Sequence, residues 1–337
     1  MFTDIHWGAK NNSVQHNNDC TNYVDWFIEK FKADKCDIIV FMGDWFENRN
    51  SINVGTLNAS FNGLKKLDSL GVPIYFCIGN HDLYHRSNRE EYSTYHFSQF
   101  KNVHLISEPT QIDHMLFFPY LFKEEYADAA AMINKVKPTY VFGHFEFRNF
   151  VITGTDRKMD HGPDHTLFAG PTFIFSGHFH KRQVRDNVVY IGNTFPTNYG
   201  DAGDDERGMA ILDDSNDYVH FNNWVEAPTY RKIKLSSVLD GSATFPPKCR
   251  VRCVIDVDIV YSEAQALKEE MMTAGELREF VLEENAFEKN EAIAGEDNID
   301  TFDLSSLNEA VVKMLETGVS GTTTIDASRL IQIYNQL

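Results

Sequence analysis

The sequence lacks the signals of a secreted, membrane-spanning or cysteine-rich protein. No stretch approaches the roughly eighteen apolar residues of a membrane span, and no positively charged start leads into an apolar segment. The five cysteines form no CxxC pair, and two of them fall within predicted buried strands. We therefore expect reduced thiols and a cytoplasmic location.

Basic residues are scarce as well. The chain has 31 Lys and Arg against 49 Asp and Glu, which gives a formal net charge of -18. Residues 261–337 hold 16 acidic and five basic residues and contribute -11 of that charge. Because the overall charge opposes nucleic-acid binding, any such contact would depend on local basic groups and would be weak and sensitive to salt.

The sequence does contain a repeated arrangement of apolar run, glycine and polar residue. Four runs of β-branched and aromatic residues end in glycine, followed at once by a side chain that can bind a metal. Such runs are typical of buried strands, whose carboxyl ends meet at one edge of a parallel sheet. Glycine would let the backbone turn sharply there. We expect these residues to converge in one cleft: Asp44, Asn80, His81, His144, His178 and His180.

The types of these residues indicate a site for two metal ions once Asp4 and His6 are added. Carboxylate, amide and imidazole donors without thiolate suit Mn²⁺, Fe²⁺ or Zn²⁺ better than a structural zinc site. Two ions about 3.5 to 4 Å apart can bind a phosphoryl group and activate water. Asp44 is the expected bridging ligand.

The motifs DxH at Asp4, GD at Asp44, GNHD at Asn80, GH at His144 and GHFH at His178 resemble the motif set of the calcineurin-like metallophosphoesterases. Within that family the chain is most similar to SbcD-type nucleases, particularly phage members, which work with an SbcC or Rad-type ATPase. Residues 190–214 resemble the strand, turn and returning strand that follow GHxH in these nucleases.

The resemblance implies ligand sets and catalytic roles. His81 would face the scissile phosphate, and Glu47 would orient His81. The resemblance implies two divalent ions as cofactors, expected to be Mn²⁺, with Asp44 shared between them. One ion would be bound by Asp4, His6, Asp44 and His180, and the other by Asp44, Asn80, His144 and His178.

The implied function is that of a metal-dependent DNA endonuclease or exonuclease subunit in recombination and repair. Phosphodiester hydrolysis would use a metal-bound hydroxide, and the partners would be DNA, the ATPase and a second copy of the chain. Two alternatives stay open: a small-molecule phosphodiesterase or phosphatase of the same fold, and a non-catalytic scaffold for the ATPase. For a phage gene, the compartment would be the host cytoplasm.

The expected fold is α/β, a four-layer α-β-β-α sandwich with a small α+β capping domain and C-terminal helices. Helices are predicted at 21–31, 57–70 and 262–284, a linker at 236–247 and a strand at 249–258. The expected domains are 1–235 for the nuclease, 236–289 for the cap, and 290–337 for an acidic linker and partner-binding helices. Only three residues precede Asp4, so we expect either that the natural product extends upstream by a short apolar run or that the protein is markedly unstable as given.

Other residues near the motifs allow two interpretations. Aromatic residues beside the ligands could stack on an unpaired base or pack around the site, namely Trp45, Phe46, Phe145, Phe147 and Phe179. Basic residues could contact DNA or lie on a solvated face, namely Arg148, Arg157, Lys158, Lys181, Arg182 and Arg185. His161 and His165 could touch substrate from a loop or simply lie on a solvated loop. Histidines without such context, His16 among them, are expected to be surface or packed residues.

Overall fold

Two β-sheets packed face to face form the centre of the molecule in the computed structural model. The structure describes residues 1–152, 154–155, 157–274 and 276–284. Three parallel strands form the first sheet in chain order: β1 (Ile39–Met42), β2 (Ile74–Cys77) and β3 (Val103–Ile106). The amino-terminal segment extends this sheet, because Phe2 pairs in parallel with Phe41 of β1.

The second sheet has six strands. They are β4 (Thr110–Ile112), β5 (Met115–Phe117), β6 (Tyr140–Gly143), β7 (Phe173–Ser176), β8 (Gln183–Arg185) and β9 (Val188–Tyr190). Their order is β4-β5-β6-β7-β9-β8. The four central strands are parallel, and the two edge strands pair antiparallel with their neighbours. The central strands therefore end at the same edge of the sheet.

Helices cover the outer faces of the two sheets. They are α1 (Ala9–Asn12), α2 (Val14–Ala33), α3 (Val54–Asp68) and α4 (Tyr126–Val136). Phe27 of α2 and Leu64 of α3 share a buried cluster with Phe41 of β1. Ile133 of α4 shares another with Ile174 of β7. Met42, Cys77, Phe117 and Phe142 lie in a third cluster, which joins the two sheets. These clusters confirm the predicted order of layers, α-β-β-α.

Both predicted helices of the first layer are confirmed but begin earlier than expected. The side chain of Ser13 accepts a hydrogen bond from the amide of His16 and caps α2. Asn53 caps α3 in the same way through the amide of Gly55. These caps satisfy amide groups that have no partner within the helix, which fixes the helix starts.

A hairpin and a third sheet complete the described chain. The hairpin pairs β10 (Gly208–Asp213) with β11 (Tyr218–Asn223). In the segment 190–214, β9 ends at Tyr190 and β10 begins at Gly208, and these two strands belong to different sheets. The third sheet holds the parallel strands β12 (Tyr230–Lys234), β13 (Arg250–Ile255) and β14 (Glu279–Glu284). It begins before residue 236, and α5 (Leu235–Leu239) lies in the predicted linker.

The third sheet corrects one prediction and confirms another. The strand at 249–258 is confirmed as β13. The helix predicted at 262–284 ends at Ala274, as α6 (Tyr261–Ala274), and its last part is wrong because β14 follows. In β14, buried Phe280 and partly buried Leu282 lie two residues apart, which is the period of a strand. The predicted acidic linker and helices at 290–337 lie outside the described residues.

The third sheet is attached both to α2 and to the segment at Tyr199. Both terminal nitrogens of Arg278 donate to the carboxylate of Asp19, at 2.6 and 2.7 Å. The hydroxyl of Tyr199 donates to Glu279 at 2.7 Å. None of the described helices is long and apolar enough to cross a membrane.

Candidate metal centre

The strand ends bring the predicted ligands to one edge of the two sheets. Asp44 follows β1, and Asn80 follows β2. His144 follows β6 directly, and His178 follows β7. Asp4 lies on the amino-terminal segment beside β1, where its amide donates to the carbonyl of Gly43 at 3.0 Å.

The first group of ligand atoms lies around the amino-terminal segment. The Nε2 atoms of His6 and His180 are 3.1 Å apart. Each of these atoms is 3.8 Å from Oδ1 of Asp4. One cation could therefore be bound by Asp4, His6 and His180, as the motif comparison implies.

The second group lies around Asn80. Its Oδ1 atom is 2.9 Å from Nε2 of His144 and 3.1 Å from Nδ1 of His178. Oδ2 of Asp44 is 3.3 Å from Nε2 of His144 and 3.9 Å from Nε2 of His6. The carboxylate of Asp44 therefore lies between the two groups, in the position that a bridging ligand requires.

Burial and charge at these groups fit divalent cations. Asp4 and His144 are fully buried, and Asp44 is 2% exposed. Burial would raise the pKa of Asp44, but the neighbouring histidines His144, His81 and His6 together outweigh burial and hold the pKa well below its usual value. Burial and the neighbouring His6 lower the pKa of His180, which favours a neutral imidazole. Burial raises the pKa of Asp4, whereas Glu47 beside His6 and Asp44 beside His144 outweigh burial and raise the pKa of each of these histidines to about 9. A divalent cation binds such residues as carboxylates and neutral imidazoles, so its binding would displace protons from the site.

The backbone is strained at four of the predicted ligands. Asp4, His6, Asp44 and His178 have φ values of 52°, 50°, 61° and 86°. Residues other than glycine rarely adopt this left-handed region, and strain of this kind clusters at functional sites. The strain is therefore consistent with a site whose geometry the surrounding structure imposes.

Glycines before the ligands mainly allow neighbouring atoms to lie close to the backbone. A Cβ atom on Gly79 would lie 2.2 Å from the amide nitrogen of Asp44, and one on Gly177 would lie 2.1 Å from Oγ1 of Thr3. Of the four glycines in the motifs, only Gly43 has a positive φ, of 98°. A positive φ therefore favours glycine at Gly43, whereas at Gly79 and Gly177 the lack of space for a Cβ atom requires it.

Asp82 is a structural residue of the site for which the sequence indicated no role. Its fully buried carboxylate accepts hydrogen bonds from the amides of Asp44, Trp45, Phe46 and Gly79. These bonds join the turn after β1 to the turn after β2. The aspartate that ends the GNHD motif is the sequence signal that could have identified it.

His81 is held by backbone contacts, and Glu47 contacts it differently from the prediction. The amide of His81 donates to Oδ1 of Asp44 at 2.8 Å, and Nδ1 of the ring donates to the carbonyl of Glu47 at 2.8 Å. The carboxylate of Glu47 instead lies 2.9 Å from Nδ1 of His6. The backbone carbonyl of Glu47 therefore takes the place expected for its side chain.

The aromatic residues beside the ligands pack in the core. All five are at most 3% exposed, so they have no face available for a base: Trp45, Phe46, Phe145, Phe147 and Phe179. Among the histidines, His16 is buried, and its Nε2 donates to the carbonyl of His6 at 2.8 Å. His165 is buried against Asp186, whereas His161 is exposed and lies 2.9 Å from Glu146.

The basic residues proposed for DNA contact differ in their availability. Arg148 pairs with Asp164 at 3.1 Å. Arg182 lies over the ring of Phe221 and donates to Asn223 at 2.8 Å. Lys181 and Arg185 are both exposed, and Arg185 makes one long hydrogen bond of 3.5 Å to the carbonyl of Asn149.

Comparison with known proteins agrees with the motifs. Residues 1–182, which include every predicted ligand, match the family described as Calcineurin-like phosphoesterase. The chain is 25% identical over 199 residues to Exonuclease subunit 1 of Enterobacteria phage T4. That match covers 58% of this chain and 58% of the relative, so the chain spans little more than half of the relative's length.

Proposed function

Since the chain belongs to the calcineurin-like phosphoesterase family, we propose that it is a metal-dependent DNA nuclease that hydrolyses phosphodiesters at the centre around Asp44. The observation that carries this proposal is the position of the Asp44 carboxylate between two groups of ligand atoms, 3.3 Å from His144 and 3.9 Å from His6. The similarity to a phage exonuclease subunit supports DNA as the substrate.

The proposed ligands are the residues of the two groups described above. Cations bound there would polarise a phosphoryl oxygen and activate water. The donors are imidazole nitrogens and carboxylate or amide oxygens without thiolate, which suit Mn²⁺, Fe²⁺ or Zn²⁺, and of these we propose Mn²⁺. The carboxylates of Asp4 and Asp44 are buried, and cations bound there would offset the free-energy cost of burying their charge.

His81 is the proposed catalytic residue outside the ligand set. Its amide and its Nδ1 atom are held by Asp44 and by the Glu47 carbonyl, which fixes the ring and leaves Nε2 for substrate. A positioned imidazole can stabilise charge on the phosphate or donate a proton to the leaving oxygen. The T-shaped contact with His6, at 5.0 Å between ring centroids, keeps the ring close to the first group of ligands.

Contact with DNA would depend on exposed basic groups. Lys181 directly follows the proposed ligand His180, and Arg185 lies further along the same segment. Because the chain carries a net charge of -18, we expect weak binding that falls steeply as salt increases. A partner protein would then supply part of the basic surface.

We further propose a complex with an SbcC or Rad-type ATPase, through residues 290–337, and a homodimer of the chain. The relative is described as a subunit, which supports an assembly. Co-purification tests this proposal directly. A chain that lacks residues 290–337 should retain its metals but fail to bind the ATPase, and co-purification at full yield would contradict the proposal.

A substrate comparison tests the proposed activity. The full chain with Mn²⁺ is incubated with linear duplex DNA, single-stranded DNA and a small aryl phosphodiester, with and without a co-expressed ATPase. We expect DNA to be cleaved in the presence of Mn²⁺. Turnover of the small phosphodiester with no DNA cleavage under either condition would favour a small-molecule phosphodiesterase, and no turnover of any substrate would favour a scaffold.

A further inference from the structure

Two glutamates lie against the outer nitrogens of two proposed ligand histidines. His6 has its Nε2 atom 3.1 Å from Nε2 of His180, and its Nδ1 atom 2.9 Å from Oε2 of Glu47. His178 has its Nδ1 atom 3.1 Å from Asn80, and its Nε2 atom 3.4 Å from Oε2 of Glu146. Each imidazole therefore lies between a group of ligand atoms and a carboxylate.

A hydrogen bond from the outer nitrogen to a carboxylate fixes the tautomer of an imidazole. When one ring nitrogen donates to a carboxylate, the proton stays on that nitrogen and the other nitrogen keeps its lone pair for a metal. The carboxylate also raises the basicity of the metal-binding nitrogen and restricts rotation of the ring. Loss of such a carboxylate usually weakens metal binding without removing a ligand.

We propose that Glu47 and Glu146 are positioning residues, one for each cation subsite. Glu47 would fix His6 in the subsite of Asp4 and His180, and Glu146 would fix His178 in the subsite of Asn80. This inference rests on the proposed two-cation centre, but it does not depend on which phosphodiester is hydrolysed.

The surroundings of Glu146 support a positioning role. Its backbone amide donates to the hydroxyl of Tyr126 at 2.8 Å, and Tyr126 is 4% exposed. Its second carboxylate oxygen, Oε1, lies 2.9 Å from Nε2 of the exposed His161. The two carboxylate oxygens thus face two histidines, only one of which is a proposed ligand.

The side chain and the backbone of Glu47 contact two different histidines of the site. Its carboxylate contacts His6, whereas its backbone carbonyl accepts from His81. Substitution of the side chain removes only the first contact, because every residue supplies the same carbonyl. A change at Glu47 should therefore affect metal binding at the His6 subsite before it affects the proposed catalytic imidazole.

Calorimetric titration of the full chain with Mn²⁺ tests the inference. The wild type is compared with four variants: Glu47→Gln, Glu47→Leu, Glu146→Gln and Glu146→Leu. The Gln variants keep the size and one acceptor oxygen, whereas the Leu variants remove the acceptor. We expect each Leu variant to weaken one of two binding steps by about 10- to 100-fold and each Gln variant to weaken it less. Melting of the metal-free proteins should be nearly unchanged.

A matched control comes from a histidine and glutamate pair outside the centre. Nε2 of His85 lies 3.6 Å from Oε2 of Glu91, and both side chains are well exposed. The Glu91→Gln variant removes a similar carboxylate and should bind Mn²⁺ as the wild type does.

Two outcomes would overturn the inference. One is wild-type affinity at both steps in the Glu47→Leu and Glu146→Leu variants. The other is equal weakening of both steps together with a lower melting temperature of the metal-free Gln variants, which would indicate a role in folding. If the wild type binds two Mn²⁺ ions but cleaves no DNA, the proposed function fails while this inference is still decided by the titrations.

Discussion

The amide of Asp44 donates a hydrogen bond of 3.0 Å to the carboxylate of Asp82. The same carboxylate accepts from the amides of Trp45, Phe46 and Gly79, so one buried side chain holds the turns that follow two adjacent strands. The position of the proposed bridging ligand therefore depends on a residue that is not a proposed ligand.

Replacement of Asp82 by alanine should destabilise the protein and disrupt the metal centre. Four buried amides would lose their acceptor, and each unsatisfied buried group costs about 1 to 3 kcal/mol. We expect the free energy of unfolding to fall by at least about 3 kcal/mol in urea denaturation. Asp25→Ala is the control, because the ion pair of Asp25 with Lys66 is largely exposed and should contribute less than about 1 kcal/mol. Equal stability of the two variants would contradict this account of Asp82.

Mn²⁺ should stabilise the folded chain. Candidate ligand atoms of the buried residues Asp4, Asp44 and His144 lie within 4.8 Å of one another. A ligand that binds only the folded state adds about 2.7 kcal/mol at 100 times its dissociation constant. We expect the melting temperature to rise with Mn²⁺ concentration and to return after chelation. The Asp44→Ala variant should show little of this rise. A wild-type melting temperature that is independent of Mn²⁺ would refute the metal centre.

Substitutions should separate metal binding from catalysis. Asp44→Ala removes the shared carboxylate and should abolish hydrolysis by the loss of bound metal, and His178→Ala should act similarly. His81→Ala should keep the metals and lower the rate about 10² to 10⁴-fold, because the imidazole acts on the substrate. Metal analysis of the purified variants, together with turnover, decides between these outcomes. The loss of both metals from His81→Ala would show that its role is assigned wrongly.

Lys181 and Arg182 should differ although they are neighbours. Lys181→Ala removes an exposed charge and should lower the slope of log affinity for DNA against log salt by about one. Arg182→Ala should mainly lower stability, because its guanidinium packs over Phe221 and binds Asn223. Salt-dependent DNA binding and thermal melting measure the two effects. If Arg182→Ala changed the affinity for DNA and Lys181→Ala did not, the roles given to these two residues would be wrong.

The positions of the proposed ligands could be anticipated because they follow from the ends of strands. Asp44, His144 and His178 each follow an apolar run, and parallel strands place such residues at one edge. The order of the helix and sheet layers could also be anticipated. Continuous apolar runs indicate strands with both faces buried, and apolar residues at helical spacing indicate helices with one buried face.

The contacts around the ligands could not be anticipated in the same way. The direction of the Glu47 side chain and the proximity of Glu146 to His178 depend on residues distant in sequence. The strand β14 was missed because glutamate and leucine favour helices, whereas pairing with β13 imposes the strand. These features therefore depend on contacts between distant parts of the chain, which the conformational preferences of single residues do not indicate.

Cleavage of end-labelled linear DNA by the full chain, wild type against Asp44→Asn, tests the central claim most directly. Asparagine keeps the size of the side chain but removes the charge that two cations would share. The account predicts cleavage by the wild type that requires Mn²⁺ and stops on chelation, and a rate at least about 10²-fold lower in the variant. Cleavage of equal rate by both proteins, or cleavage that continues after chelation, would contradict the account.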